Sequence, residues 1–597
     1  MEKQIDITLS KKYSDREIIK RTFKEIKPYL KEFVGGVLLV LLNVFLNILA
    51  PRIIGDFYTA LETENIHQDA MTGILLLCGY YLVIVVANMI LTYFSTIIIN
   101  RAGQQVIFSL RQKVFEKIES FSHEQLSDIP VGRLVTRVCN DTNSLNELYT
   151  MVIVNLLKYL LTLFGIAINM ILINPILSLF IGGFVIVVLI FTFIYRHFSK
   201  IAFSEERKQV SNLNSFLSEN LSGMKTIQIF NQEENKKKEF NVTNKALVRA
   251  KKMVMFVFAF YRPALSFLYF CAIGVVFLVG FKQVQNGASF YGTVFNFGLL
   301  MSFYTYTERF FGPIMHISEQ YDKLQRGLVA SERIFNILDM ESTVKNNGKI
   351  VLEKIEGKIE FENVWFAYEK DDWILKDVSF TILPHQTVAF VGSTGSGKTT
   401  ILSLIVRNYD IQKGKIKIDG IDIQDIELSS LRKLIGQMLQ DVFMFSGTIK
   451  ENITLQDENI TDEEVLKTIN YVNADKFINK LDKGLDTIVS EKGINFSSGQ
   501  RQLISFARTL VSKPQLLILD EATANIDTET EVLIQDSLEK MKSIGTMIVV
   551  AHRLSTIQNA DNIICLSHGK IVEQGTHQEL LNNKSYYYKL YQLQFDE

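Results

Sequence analysis

The sequence predicts an all-α membrane domain of six transmembrane helices fused to a cytoplasmic α/β domain built around a phosphate-binding loop. Three observations carry that prediction. Six long apolar runs lie before about residue 315. From Lys358 onward, short β-type runs such as KIEFENVWFAY and TVAFVG alternate with helical stretches, the pattern of a largely parallel sheet. Between one such strand and the next helix stands GSTGSGKTT, Gly392 to Thr400.

The apolar runs come first along the chain. About 20 apolar residues cross a bilayer as a helix, and the runs Phe33–Ala50, Thr72–Ile99, Met151–Ile173, Ile176–Tyr195, Met253–Phe281 and Tyr291–Phe311 each approach that length. A soluble core cannot absorb so many. Lys and Arg concentrate in two connections: Arg101, Arg111, Lys113, Lys117, Arg133 and Arg137 follow the second run, and Lys236, Lys237, Lys238, Lys251 and Lys252 follow the fourth. The positive-inside bias therefore puts both connections and both termini on the cytoplasmic side of the cell membrane. These connections have helical periodicity, for example RAGQQVIFSLRQKVFEKIESF, so the spans should continue as helices into the cytoplasm. Each is interrupted once, near His123–Leu134 and Gly223–Glu234, where a short crossing helix fits. The expected organisation is a cytoplasmic N-terminal segment and elbow helix over 1–28, a six-span domain over 29–317, a polar linker over 318–356 and the α/β domain over 357–597.

Composition narrows the function. With 597 residues the chain exceeds one domain, and 48% of it is hydrophobic. Lys and Arg number 63 against 64 Asp and Glu, which gives no basic face for nucleic acid. The cysteines, Cys78, Cys139, Cys271 and Cys565, share no metal-ligand spacing and are read as unpaired. The first residues are charged and lack the apolar core of a cleavable signal. Asn-x-Thr triplets such as Asn241–Thr243 fall in cytoplasmic segments and carry no glycosylation weight.

GSTGSGKTT matches G-x-x-x-x-G-K-[ST] with Gly392, Gly397, Lys398 and Thr399 in the fixed places. Glycines let backbone N–H groups turn onto phosphate oxygens, and the following helix N-terminus adds its positive end. Lys398 would reach the β and γ phosphates of ATP, and Thr399 would hold Mg²⁺. LLILDEATA, Leu516–Ala524, is a buried strand ending in two carboxylates, at the edge where parallel sheets bind ligands. Asp520 suits the metal, and Glu521 suits general-base work on a water attacking the γ-phosphate.

With these motifs in place, the second half resembles the nucleotide-binding domain of ABC transporters. The chain from about Arg16 to Tyr591 resembles a half-transporter of the bacterial multidrug and lipid exporter type. The resemblance rests also on VWFAY, GKIKIDGIDI, MLQDVFMFSGTIKENI, NFSSGQ, VVAHRLSTI and GKIVEQGTHQELL in family-like order. It implies that Tyr368 stacks on adenine and that Gly392, Ser393, Thr394, Gly395, Ser396, Gly397, Lys398, Thr399 and Thr400 cradle the phosphates. It makes Gln440 a contact to Mg²⁺ that reports to the membrane half, His552 a holder of the γ-phosphate, and Asp527 the carboxylate of the loop after the catalytic strand. Phe496, Ser497, Ser498, Gly499 and Gln500 become the signature loop, which in this family caps the ATP held by a second subunit. One P-loop and one signature loop in a chain then require a dimer.

Two departures bear on which dimer. The family pattern L-S-G-G-Q reads here Phe496-Ser497-Ser498-Gly499-Gln500, and a Cβ at Ser498 is expected to obstruct either close backbone approach or a positive φ. The usual S-A-L-D reads Ala524-Asn525-Ile526-Asp527. Since Asp520, Glu521 and His552 are kept, the pattern fits the catalytic chain of a heterodimer with unequal ATP sites; a homodimer tolerating the serine stays open. Export of an amphipathic drug, lipid or peptide by alternating access is the expected activity, with an ATP-gated channel or regulator as the alternative. The fused halves argue against an importer, and no peptidase-like domain precedes the first span. For the substrate, Phe256, Tyr261, Phe303, Tyr304 and Tyr306 are candidates to line a cavity, though residues of this kind also serve helix packing or face lipid. Glu308 and Arg309 are either functional or an ion pair.

Overall fold

The computed structural model describes residues 13–62, 68–344, 346–438, 442–520, 528–550 and 557–595. The chain divides into two compact units, Met1–Glu119 with Gly132–Met340, and Ser120–Val131 with Glu341–Glu597.

The first unit is helical. Helix α1 (Asp15–Ile26) starts at a capping box in which Ser14 and Glu17 satisfy each other's backbone N–H groups. It buries Ile18, Thr22 and Ile26 and leaves Ile19 and Phe23 exposed. Then follow α2 (Leu30–Glu62), α3 (Gln68–Glu119) and, after α4 of the other unit (His123–Asp128), α5 (Val131–Ile173). Two π-helical turns, Arg137–Asp141 and Leu148–Val152, lie within α5. Helix α6 (Pro175–Ser222) begins at Asn174, whose side chain accepts the Leu177 N–H, with proline at the first helical position where no donor is needed. Short α7 (Met224–Ile229), α8 (Glu233–Gln285) and α9 (Phe297–Leu338) complete the unit.

Among the described residues five stretches are long and apolar enough to cross a membrane: Asp15–Leu61, Thr72–Glu119, Val131–Ile173, Pro175–Ser222 and Glu233–Gln285. At roughly 1.5 Å per residue, all five overrun a ~30 Å hydrocarbon core, as the helical periodicity of the connections predicts for the second, fourth and fifth. The sixth expected span, Tyr291–Phe311, needs correction. Ser289–Phe290 and Thr293–Val294 pair as a small antiparallel hairpin, with Gly292 turning at φ +81°, and α9 starts only at Phe297. Its first turns carry Ser302, Thr305, Thr307, Glu308 and Arg309, so it falls outside the five. Helices α2 and α9 touch closely through small residues: a Cβ on Gly55 would strike Ser302 Oγ, and one on Gly298 would strike the Gly55 carbonyl.

Among the described residues the second unit carries, besides a two-stranded antiparallel pair, Gly447–Thr448 with Ile488–Val489, two main sheets. The smaller is antiparallel, ordered β2-β1-β4-β5 from β1 (Ile359–Ala367), β2 (Trp373–Ile382), β4 (Lys413–Ile418) and β5 (Ile421–Asp422). The larger is ordered β10-β9-β3-β8-β7-β6, from β3 (Thr387–Gly392), β6 (Ile435–Met438), β7 (Leu516–Asp520), β8 (Thr546–Val550), β9 (Asn562–Ser567) and β10 (Lys570–Gly575). All its neighbours are parallel except β9 and β10. Strands β3, β7 and β8 are Val, Ile and Leu runs buried on both faces, as a parallel sheet covered by helices demands. Helix α4, the first expected crossing helix, belongs to this unit. Ser122 Oγ meets Thr343 Oγ1 at 2.6 Å, Gln125 Nε2 donates to Glu341 O at 2.8 Å, and the His123 ring meets Tyr409 edge-on at 6.0 Å. The second, α7, buries no residue and leaves its last residue Ile229 and the C-cap Phe230 exposed.

Candidate nucleotide-binding site

The site is built at one edge of the large sheet. Register pairs Val550 of β8 with Phe390 of β3 and with Asp520 of β7, and Leu519 with Met438 of β6. Four parallel strands thus end side by side. β3 runs into the 392–400 loop, β7 ends on Asp520 directly before Glu521, and β8 and β6 end two residues before His552 and Gln440. Gln440, Glu521, Asp527 and His552 themselves lie outside the described residues, as do 1–12 at the N-terminus.

The loop joins β3 to helix α10 (Lys398–Ile405). Gly392 has no room for a side chain, since a Cβ there would run into the Leu566 carbonyl. Gly395 and Gly397 adopt left-handed backbone at φ +79° and +104°. Ser393, Thr394, Gly395 and Thr399 face outward, while Ser396, Gly397, Lys398 and Thr400 are buried. Lys398 Nζ donates to the carbonyls of Gly392 at 2.7 Å and Ser393 at 3.0 Å, so its ammonium is folded over the loop. Burial pushes its pKa below the ordinary lysine value, and the Asp520 carboxylate opposes that shift. Ser396 Oγ is buried without a hydrogen-bond partner among the described residues, an open polar valence in the cradle. The hydroxyl of Thr399 and the carboxylate of Asp520 are the hard oxygen donors that Mg²⁺ prefers.

Tyr368, just beyond β1, is half exposed, and its hydroxyl lies 3.0 Å from Thr400 Oγ1. Its ring stands edge-on to Phe366 at 4.9 Å and Tyr409 at 5.1 Å. Tyr409 is a residue the sequence reading missed: it touches both the candidate base platform and His123 of α4. No motif marks it, because its role comes from neighbours distant in sequence.

The 496–500 loop opens helix α11 (Ser498–Val511). Ser497 is its N-cap, accepting the Gln500 N–H at 3.2 Å, while Gln500 Oε1 accepts the Ser497 N–H at 3.0 Å. Phe496 is buried, its carbonyl held by Arg501 at 2.7 Å, and Gly499 is buried in the first turn. Ser498 occupies the first helical position and is not among the residues with positive φ. The expectation of backbone strain there is corrected: a helix N-terminus needs right-handed backbone, which serine takes readily. Arg508, also missed in the sequence, is half-buried and donates to Asn452 O at 2.7 Å and Phe443 O at 2.8 Å. It clasps the segment that follows residues 439–441.

A phosphate cradle at the carboxyl edge of a parallel sheet, fused to a bundle of membrane-length helices, defines the class as a membrane-embedded P-loop ATPase. The sequence matches the family of the ABC transporter transmembrane region over residues 33–314 and the ABC transporter family over 375–524. An uncharacterised ABC transporter ATP-binding protein of Bacillus subtilis, YknV, is 37% identical over 98% of this chain and 97% of its own length. A probable multidrug resistance ABC transporter ATP-binding/permease protein of the same organism, YheH, is 36% identical over 90% of this chain and 79% of its own. The ATP-dependent lipid A-core flippase of Syntrophus aciditrophicus is 33% identical over 97% and 95%. A bacterial Atm1-family ABC exporter solved with ATP bound superposes with a TM-score of 0.79 at 26% identity, over 95% of this chain and 98% of that one. The chain belongs to the ABC transporter family. It is a multi-pass membrane protein of the exporter type that binds and hydrolyses ATP and works in a dimeric arrangement.

Proposed function

We propose that this chain is one half of an exporter of the cytoplasmic membrane, with both termini in the cytoplasm, moving an amphipathic drug, lipid or peptide by alternating access. The observation that carries the reading is the common edge at which β3, β8, β7 and β6 end, because Lys398 and Asp520 stand there and Glu521, Gln440 and His552 follow those strand ends in the sequence by one or two residues. In this reading the 392–400 backbone and Lys398 hold the β and γ phosphates of ATP, Tyr368 stacks on the base, and Glu521 takes a proton from the attacking water. Thr399, Asp520 and Gln440 would hold Mg²⁺, which offsets charge on the phosphate oxygens. His552 steadies the γ-phosphate.

The Ser497–Gly499 turn lids the nucleotide of the partner subunit from a capped helix N-terminus, which favours anions. No hydrogen bond among the described residues joins it to this chain's own 392–400 loop. Closure of two such units would pass to the membrane helices through α4 and α7, and the exposed Ile229 and Phe230 at the end of α7 suit a partner surface. The partner is proposed to be a different half-transporter, so that this chain's Glu521 serves the faster site. The domain limits 1–28, 29–317, 318–356 and 357–597, with α9 as the sixth span, belong to the same proposal.

The test is Glu521→Gln, which should abolish turnover and trap an ATP-bound closed dimer; unchanged turnover contradicts the base assignment. Robust amphiphile-stimulated ATPase from the chain alone would remove the heterodimer. An ATP-gated channel would dissipate a substrate gradient where an exporter builds one.

A further inference from the structure

This inference rests on the export reading and names its substrate class. Helix α2 carries a proline, Pro51, in its interior. Proline has no N–H, so the carbonyl four residues back, that of Asn47, loses its helical donor. Helix α9 repairs the broken turn from one stripe. Arg309 Nη1 donates to Asn47 O at 2.7 Å, Tyr306 Oη donates to Ile48 O at 2.7 Å, and Ser302 Oγ donates to Pro51 O at 3.0 Å. Phe303 and Tyr306 are fully buried, so they pack the bundle and do not line a cavity.

Arg309 differs from its neighbours on the stripe. It is partly exposed, and its hydrogen bond to Asn47 uses one of the five N–H donors of a guanidinium. Among the described residues no carboxylate lies within ion-pair distance of it, so the ion-pair reading fails for Arg309. Its sequence neighbour Glu308 is exposed. Arg52, next to Pro51, is exposed and likewise without a described partner. The carbonyls of Ile48 and Pro51, on the same turn of α2 as Arg52, are bonded by Tyr306 and Ser302 of the stripe that carries Arg309. With α9 as the sixth span, Arg309, roughly 18 Å along the helix from Phe297 at ~1.5 Å per residue, would fall within a ~30 Å apolar layer. Beside it, Asn47 extends a polar patch: its Nδ2 donates to Asn43 Oδ1 at 3.0 Å, and Asn43 Nδ2 donates to Asn88 Oδ1 at 2.9 Å and Thr92 Oγ1 at 3.1 Å.

A charge kept at membrane depth needs a counter-charge or a wet cavity. A guanidinium oriented by one backbone bond, with its other donors spare, offers a fork for carboxylate or phosphate. We infer that Arg309, seconded by Arg52, receives the acidic headgroup of the exported amphiphile, a carboxylate or phosphate on an acyl chain.

The competing role for Arg309 is a plug for the orphaned carbonyl alone. An amide side chain also donates an N–H, so Arg309→Gln removes the charge and not the donor. Pro51→Ala removes the need for a plug. The test uses the full chain in lipid nanodiscs, with labelled oleate displaced by oleate, oleoyl lysophosphatidate, monoolein or oleylamine. The wild type should prefer at least one of the two acids over oleylamine by about 10-fold, and whichever acid wins identifies the source as free carboxylate or phospholipid. Arg309→Gln should bring the preference to within about 2-fold, also in the Pro51→Ala background, while Arg309→Lys keeps most of it. Equal weakening for all four probes, unchanged preference in Arg309→Gln, or binding of none of them overturns the inference. ATP-driven movement of oleylamine that survives Arg309→Gln would leave export standing and remove only the anionic substrate. Absence of ATP-driven movement of any probe would remove the export reading itself.

Discussion

The 392–400 loop and the Pro51 break are two places where backbone groups lack their regular partners, and the two units treat them in opposite ways. In the loop, at a helix start, the surroundings leave polar groups open: Ser393, Thr394 and Gly395 are exposed, and Ser396 Oγ has no partner among the described residues. At Pro51 the free group is one carbonyl acceptor, that of Asn47, and Arg309 of α9 reaches across to satisfy it while Tyr306 and Ser302 bond the neighbouring Ile48 and Pro51 carbonyls. An orphaned donor in water can wait for an anion. An orphaned acceptor in lipid cannot wait, so the chain supplies the donor itself, and with Arg309 it imports a charge.

The largest way to break this contrast is at the loop. Lys398→Ala should lower ATP turnover by roughly 10²-fold or more, because the transferred phosphoryl loses its nearest cation; steady-state ATPase measures it. Activity within a few-fold of wild type would mean that Lys398 only ties the loop through Gly392 and Ser393. Tyr368→Ala should weaken ATP binding by about 10-fold, the worth of one base stack, read by nucleotide titration. If Kd stays put, Tyr368 serves the aromatic contact with Tyr409 and not the base.

Ser498→Gly is a smaller lever and separates local from partner effects. Glycine in a first helical turn costs at most about 1 kcal/mol, so Tm should fall slightly while turnover of the assembled dimer rises a few-fold if the serine Cβ obstructs the lid. The smallest effect is expected at Glu464, whose pKa is pulled down to about 2 by the Lys513 ammonium and by the Thr461 N–H. A carboxylate depressed on folding stabilises above its unfolded pKa, and the contribution disappears as pH falls towards about 2. Glu464→Gln should therefore lower Tm slightly at neutral pH and converge with wild type in acid.

How much was legible in the sequence follows from how local each feature is. Gly392, Gly397 and Lys398 lie within one short run, and the crossing helices are announced by Pro130 and Gly223, so these appeared directly. The start of the sixth span did not, because Phe290, Tyr291 and Phe295 read as apolar while Gly287 and Gly292 quietly turn the chain at positive φ. Strain at Ser498 was inferred from a family pattern, but the residue sits in ordinary helical backbone. Tyr409, Arg508 and the pairing of Arg309 with Asn47 were invisible, since each depends on partners brought together only by folding. Proline in an apolar helix was the available signal for the last of these: it states that a donor is needed, and not where it will come from.

The central claim is that ATP turnover at the 392–400 cradle drives an amphiphile across the membrane. Inverted membrane vesicles from cells carrying the wild-type or the Lys398→Ala chain test it most directly, with uptake of labelled oleate followed as ATP is added. The account predicts accumulation above the equilibrium level in wild type and none in Lys398→Ala. Equal, ATP-independent equilibration in both would contradict it.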